Sequence, residues 1–222
     1  MAYTKRIVCL ANSFKKGGSC IAGRELIGTS LGGWIRPVGD RTTAEVRTAE
    51  SGNLKLLDIV DVPFLRAEPR HHQTENHVID ASQRWVKAGE LPWATLAQMI
   101  DQPASLWINR DHTKGPGLYD CISEAEAFTL GTSLVLIKPD NFGVEVGPHY
   151  YTGKRTWRAD FAYNGTNYNF SLTDPIATSK YTADSSYPLN DVYICVSLTE
   201  PWEKDNNRCH KLVASIFSNP PL

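Results

Sequence analysis

The sequence has no apolar stretch long enough to cross a membrane and no C-x-x-C pair. Its longest apolar stretches, at residues 132–137 and 192–196, fall far short of the roughly 20 residues that a membrane-spanning helix needs. The first residues lead directly into a strand-like run and lack the apolar core of a signal peptide. The cysteines are Cys9, Cys20, Cys121, Cys195 and Cys209. This odd number disfavours a disulfide framework, so we expect a cytoplasmic protein with reduced, mostly buried cysteines and no membrane partner.

The usual enzyme signatures are also missing. There is no P-loop, G-x-G-x-x-G, G-x-S-x-G, kinase set or H-E-x-x-H spacing. We therefore predict no catalytic residue, no metal and no cofactor. One polar segment, residues 69–80, contains His71 and His72 beside acidic residues, which permits general acid–base chemistry. No nucleophile is tied to it by a known spacing, so binding is favoured over catalysis.

What the sequence does contain is typical of a folded globule. Of the 222 residues, 41% are hydrophobic and 21% are charged, and the length suits two small domains slightly better than one large domain. The net charge of −1 argues against a protein that coats DNA by bulk electrostatics. Residues 1–47, however, hold eight positive and three negative side chains. This end can form a local phosphate-binding patch, although a solvated charged face is an equal alternative.

Strand patterns dominate the chain. Strands are predicted at residues 5–11, 32–38 and 56–64, and residues 19–26 suit either a strand or a short helix. Further strands are predicted at residues 106–108, 132–137, 143–146, 157–163, 166–172, 192–198 and 211–217.

Residues 82–101 break this pattern. They predict two short helices, the second opened by Pro92. A Gly-Pro-Gly turn at residues 115–117 and the polar residues 123–126 are typical of a linker, and we place a domain boundary near residue 125.

The first candidate binding cluster surrounds Gly32 and Gly33. Arginine makes bidentate contacts with phosphate, and tryptophan offers a face on which bases stack. If residues 32–38 are a strand, Trp34 and Arg36 share one face and Ile35 points into the core. The alternative is that Trp34 is buried and Arg36 closes a salt bridge. The candidate binding residues of this cluster are Arg24, Trp34, Arg36 and Arg41.

A second cluster interleaves basic and aromatic side chains over residues 150–161, the composition of a groove that follows a phosphate backbone and stacks bases. On a strand, Trp157 and Phe161 share a face that suits the core, and Arg158 is expected to pair with Asp160. The candidate binding residues are Lys154, Arg155, Trp157 and Arg158.

Several motifs together resemble the bacterial dual OB-containing domain proteins. They are residues 5–13 (KRIVCLANS), 18–23 (GSCIAG), 33–38 (GWIRPV), 198–201 (LTEP) and 211–214 (KLVA). The resemblance covers nearly the whole chain and implies two tandem OB-like barrels. It also implies nucleic-acid binding connected with defence against foreign DNA, but it brings no catalytic residues.

We therefore predict a mainly β protein made of two tandem OB-like small β-barrels with short connecting or capping helices. The first barrel, with a helical insertion, is expected at residues 1–125 and the second at residues 126–222. The predicted function is binding of single-stranded or structured nucleic acid, DNA or RNA, or of a nucleotide. The alternatives are a protein-interaction adaptor, whose aromatics would anchor a protein partner, and an enzyme that acts on nucleotides.

Overall fold

A computed structural model describes residues 2–15, 18–39, 46, 51–149 and 151–222. The chain divides into two compact units, residues 1–99 and residues 100–222. In the described residues, β-strands outnumber helices in both units, which confirms the predicted fold class.

The first unit is built from strands. Those described are β1 (Tyr3–Lys15), β2 (Gly18–Ile27), β3 (Ser30–Val38), β4 (Asp58–Ala67), β5 (Asn76–Ile79) and β6 (Val86–Glu90). β1, β2 and β3 form an antiparallel meander, β3 pairs with β5 in parallel, and β5 pairs with β4. Because β4 also pairs with β1, the hydrogen bonds close into a five-stranded ring. This Greek-key ring is an OB-type barrel.

Alternation along these strands produces the core of the first unit. Ile7 and Cys9 on β1 and Val60, Val62 and Phe64 on β4 are almost fully buried in one hydrophobic cluster. Since successive side chains on a strand point to opposite faces, this spacing of two places these five residues on the inner face of the barrel and the intervening residues on the other face. The predicted strands at residues 5–11 and 56–64 lie within or largely overlap β1 and β4.

The second unit repeats the same ring. Its described strands are β7 (Cys121–Ile122), β8 (Leu134–Ile137), β9 (Asn141–Pro148), β10 (Arg155–Tyr163), β11 (Thr166–Leu172), β12 (Ser185–Leu189), β13 (Tyr193–Leu198) and β14 (Cys209–Phe217). β9, β10 and β11 form the meander, β11 pairs with β14 in parallel, and β14 pairs with β13. β13 then pairs with β8, which continues into β9 after a short bend. β8 and β9 are therefore two halves of the first barrel strand.

A short helix, Pro175–Lys180, connects the third and fourth strands of this second barrel. Its N-cap is Asp174, whose side chain accepts hydrogen bonds from the N–H groups of Ile176 and Ala177. The other carboxylate oxygen accepts from Ile216 N–H at 2.8 Å, which ties the helix to β14. Asp174 is thus buried with its acceptors occupied.

Two local predictions were wrong. The first predicted helix within residues 82–101 is instead the strand β6. The second predicted helix is present as a 3₁₀ helix, Trp93–Met99. β6 pairs with β4 from Asp58 to Asp61, a long-range contact that outweighs local helix preference. The strand predicted at residues 106–108 is absent from this described segment, because Trp107 adopts a positive φ of 58° that interrupts extended backbone.

The boundary between the two units lies between residues 99 and 100, whereas the predicted boundary lies near residue 125. Leu106 belongs to the core of the second unit, and Leu118 forms a β-bridge with Asn169 on β11. Residues 123–126, interpreted as linker, contain a helix with a capping box between Ser123 and Glu126. Residues 100–125 therefore contribute to the second unit.

The cysteines are free, and Cys9, Cys121, Cys195 and Cys209 are buried, as expected. Among the residues that the structure describes, no helix has both the length and the apolar character required to span a membrane.

Candidate nucleic-acid interface

A cleft of about 520 Å³ opens on the outer surface of the second barrel. Its floor is formed by side chains of β10, β11 and β14, the second, third and fifth barrel strands. Its walls are the loop between β9 and β10, the loop between β13 and β14, and residues 113–120. The described lining residues are Thr113, Lys114, Pro116, Asp120, Pro148, His149, Tyr151, Thr156, Arg158, Ser171, Trp202, Asp205, Asn206, Arg208 and His210.

Two aromatic side chains at the cleft are unusually exposed. Trp202 is 53% exposed and Tyr151 is 62% exposed, although aromatic rings bury a large apolar area when they pack. Trp202 comes from the β13–β14 loop and Tyr151 from the β9–β10 loop. The two loops therefore present ring faces on which a planar ligand can stack.

The β13–β14 loop is held in shape by its own backbone. The N–H of Trp202 donates to the carbonyl of Arg208 at 3.0 Å, and the N–H of Asn207 donates back to the carbonyl of Trp202 at 3.1 Å. Asn206 and Asn207 both have positive φ angles, 52° and 55°. Asparagine tolerates this conformation better than most residues, and such backbone is enriched at binding sites. The exposure of Trp202 is therefore a property of an ordered turn.

Arg158 on β10 is held in the floor of the cleft by a network. Its Nη2 lies 3.0 Å from Oδ2 of Asp120, and the side chains are only 14% and 4% exposed. The guanidinium also donates to the side chain and the carbonyl of Asn169 and to Oγ of Ser171. A buried pair with these additional hydrogen bonds has a fixed orientation. Arg158 thus forms a fixed, charge-compensated ion pair with Asp120 in the floor of the cleft.

Asp205 connects two basic residues on the other side. It pairs with Arg208 and lies 2.9 Å, Oδ2 to Nε2, from His210. Burial lowers the pKa of His210 below its usual value, although Asp205 opposes this shift. His210 is therefore neutral at pH 7. The rings of Trp202 and His210 form a T-shaped pair with 5.6 Å between their centroids.

The charge of the lining favours anions modestly. Among the Lys, Arg and Asp side chains of the lining, Lys114, Arg158 and Arg208 outweigh Asp120 and Asp205 by one positive charge. Lys114 is exposed, and no ion pair involving it is found within the described residues. The arrangement can therefore hold a phosphate group at its rim.

The first unit brings together part of the first predicted cluster. Arg24 on β2 faces Trp34 on β3 directly, with the guanidinium carbon 5.6 Å from the ring centroid. Arg36 pairs with Glu75 at 3.1 Å, with side chains 13% and 4% exposed, so the alternative of a salt bridge describes this residue. Arg41 lies outside the described residues.

Glu75 belongs to the loop between β4 and β5. This loop contains most of residues 69–80, the polar segment considered above for acid–base chemistry. His72 is buried there, whereas His71 is exposed with a φ of 51°. The end of this segment forms the strand β5.

The second predicted cluster is divided by the structure. Trp157 packs against the core and donates its indole N–H to the carbonyl of Tyr181 at 2.6 Å. Arg155 is exposed and pairs with Asp184 at 3.2 Å, and Lys154 is exposed in the β9–β10 loop. Of the eight predicted binding residues, Arg158 alone is among the described residues that line the cleft.

The predicted pairing of Arg158 with Asp160 was wrong. The partner is Asp120, which a distant segment carries to the barrel surface. Local spacing on a strand contains no information about that segment.

The sequence did not predict the following residues of the cleft lining: Trp202, Arg208, His210, Lys114 and His149. A usable signal was present for Trp202 and Arg208. They lie in a polar stretch between the last two predicted strands, which is the loop between the fourth and fifth strands of an OB barrel, a common ligand-binding loop of this fold. No such signal pointed to Lys114, which precedes the barrel.

The two five-stranded Greek-key rings define a protein with two OB-type barrels, the second of which carries a cleft bounded by its 1–2 and 4–5 loops. A model of the dual OB-containing domain family matches residues 5–216, and the chain therefore belongs to that family. No curated protein and no solved structure matches the chain.

Proposed function

We propose that this protein binds nucleic acid or nucleotides through the cleft of its second barrel. The observation that carries the proposal is the position of the cleft. It lies on the face of the second and third barrel strands and between the 1–2 and 4–5 loops, where OB barrels bind oligonucleotides.

The side chains suit this ligand class. Trp202 and Tyr151 offer exposed rings for bases, and stacking tolerates any base because every base has a π-face. Lys114 supplies an exposed ammonium for a phosphate, and the Arg158–Asp120 pair presents a guanidinium of fixed orientation in the floor of the cleft. Unstacked bases are needed for this mode, so single-stranded regions of DNA or RNA are preferred over duplex.

The first barrel offers a second candidate surface on its equivalent face. Arg24 and Trp34 are cross-strand neighbours on the second and third strands, and both are half-buried. A ring already covered by a guanidinium has less free area for a base than Trp202 has. We therefore assign the main contact to the second barrel.

The test is a titration of labelled single-stranded DNA, single-stranded RNA and duplex DNA, followed by fluorescence anisotropy at two salt concentrations. Trp202→Ala should weaken binding roughly 5- to 150-fold, corresponding to the loss of about 1–3 kcal/mol of base stacking. Trp202→Phe should retain most of the affinity because it keeps an aromatic face. Trp34→Ala is the matched change in the first barrel and should have a smaller effect.

Three results would contradict the proposal. These are no binding to any of the nucleic acids, affinity that is independent of salt, or binding that survives both Trp202→Ala and Tyr151→Ala. If Trp34→Ala alone abolishes binding, the first barrel is the interface.

The proposed setting is the one that the family resemblance suggests, a bacterial cytoplasmic protein that meets foreign DNA during defence. It predicts that cells carrying Trp202→Ala lose any protection against phage that the unchanged protein provides. A plaque assay with matched expression levels measures this. Unchanged protection would separate the binding activity from defence.

A further inference from the structure

The cleft is closed on one side by chain that precedes the barrel. β11 and β14 pair in parallel only at Ser171–Leu212 and Leu172–Val213 and then separate. The segment that fills the opening pairs with both strands: Leu118 bridges to Asn169 on β11, and β7 pairs with the start of β14. Residues 118–122 therefore cover the barrel face beside β11, which a bound nucleic-acid strand would otherwise cross.

This segment is a fixed wall. Asp120 is 3% exposed and accepts from the N–H and Oγ1 of Thr113 at 2.7 and 2.6 Å, while it pairs with Arg158. A Cβ at Gly117 would lie 2.3 Å from both Asp120 Oδ2 and Thr113 Oγ1, so the turn is packed too closely for any side chain. The backbone carbonyl of Asp120 also accepts from the N–H of Lys211 on β14 at 2.8 Å.

With this wall in place, the binding surface is a pocket. Its volume of about 520 Å³ lies within the range of about 300–1,000 Å³ that is typical of small-molecule sites. OB barrels that hold a continuous strand contact several nucleotides along an open groove. Here the two exposed rings, Tyr151 and Trp202, and the exposed Lys114 line the same cleft, which is open to solvent and bounded by residues 113–120 on one side.

We propose that the cleft binds one nucleotide unit whose chain continues on one side only, that is, a terminal nucleotide of a single strand or a free nucleotide. The base stacks on Trp202 and Tyr151, and the phosphate lies toward Lys114. The inference rests on the proposed function and narrows its ligand to a nucleotide with a free end.

The experiment compares a linear single-stranded oligonucleotide with a covalently closed circle of the same sequence and length, each carrying an internal label. The linear form should bind to the unchanged protein on the order of tenfold or more tightly than the circle, since the circle cannot insert a terminal base. Trp202→Ala should remove most of this difference, and Trp202→Phe should preserve it.

Competition with nucleoside monophosphates shows whether the cleft binds a free nucleotide or the terminal nucleotide of a strand. Full displacement of the linear oligonucleotide at comparable concentration indicates that a free nucleotide suffices, and weak displacement indicates recognition of a chain end. Both results support the pocket.

Two results overturn the inference and can be told apart. If circle and linear form bind equally and Trp202→Ala weakens both, the cleft binds a continuous strand and the proposed function stands. If neither form binds, or if Trp202→Ala changes neither affinity, the proposed function fails and the inference fails with it.

Discussion

Lys211 gives the sharpest stability prediction, because a charged side chain is buried in the second barrel. It is 1% exposed, and its Nζ donates to the carbonyl of Ile108 at 2.8 Å and to Oδ1 of Asn109 at 3.3 Å. The ammonium thus fastens the chain that precedes the barrel to β14. The perturbation is Lys211→Met, which keeps the length of the side chain and removes the charge.

The magnitude follows from the pKa of the ammonium. Burial lowers the pKa of Lys211 from 10.5 to about 8, against weaker opposing effects from nearby acidic groups. At 1.36 kcal/mol for each pKa unit, the buried charge costs about 3 kcal/mol of folding free energy. Below about pH 8 both the folded and the unfolded chain carry the proton, and the full cost is present.

The sign of the pH dependence is therefore defined. Between about pH 8 and 10.5 the folded protein has lost the proton while the unfolded chain retains it, so the free energy of unfolding rises with pH. Relative to Lys211→Met, the unchanged protein should gain about 3 kcal/mol across this interval. Other groups that titrate here are common to both proteins and cancel in the difference.

The assay is urea unfolding at a series of pH values, with fluorine NMR of fluorotryptophan as the probe. Trp107 and Trp157 pack against the core of the second unit and report its unfolding separately from the first unit. Replacement of the exposed Lys55 by Met is the control for removing a lysine. A stability difference that stays flat from pH 8 to 10.5, or that falls, would refute the reasoning about Lys211.

Three further predictions concern the helix cap Asp174, the rim residue Lys114 and the half-buried His210. Asp174→Ala should lower the free energy of unfolding by about 2–5 kcal/mol, because it leaves three buried or half-buried N–H groups without an acceptor, whereas Asp174→Asn should lose less; urea unfolding measures both. Lys114→Met should make the salt dependence of nucleic-acid affinity shallower by about one phosphate contact, whereas the exposed Lys180→Met, outside the cleft lining, should leave the slope unchanged. His210→Gln should make the protein less sensitive to acid, because burial lowers the pKa of His210 and the unfolded chain takes up the proton first as the pH falls through about 6.5; an unaltered acid-unfolding profile would contradict this.

Much of the fold was accessible from the sequence because strand alternation is a local property. Ile35 was expected to point into the core and Trp34 to point to the opposite face. Ile35 is 3% exposed and belongs to the core cluster of the first unit. Trp157 and Phe161 were expected on one inward face, and both contact the core of the second unit. A period of two in apolar residues is sufficient for these statements.

The failures have a common physical cause, which is long-range pairing. Val86 lies in a strand because its backbone pairs with β4. The residues between 82 and 90 contain no local signal that predicts this pairing. The same holds for Arg158, whose partner Asp120 reaches it from a loop. Composition identified a basic and aromatic protein surface, but burial decides which of those side chains a ligand can touch.

The segment between Leu118 and Ile122 also bears on how such proteins change over time. A barrel with an open gap between its third and fifth strands has a groove that is open at both ends. A few residues that precede the first barrel strand fill this gap and leave a groove that is closed at one end. On the proposed function, this leading segment determines whether the cleft binds along a strand or at the terminus of a strand. We expect relatives that differ only in this segment to keep the same fold and to bind different forms of the same polymer.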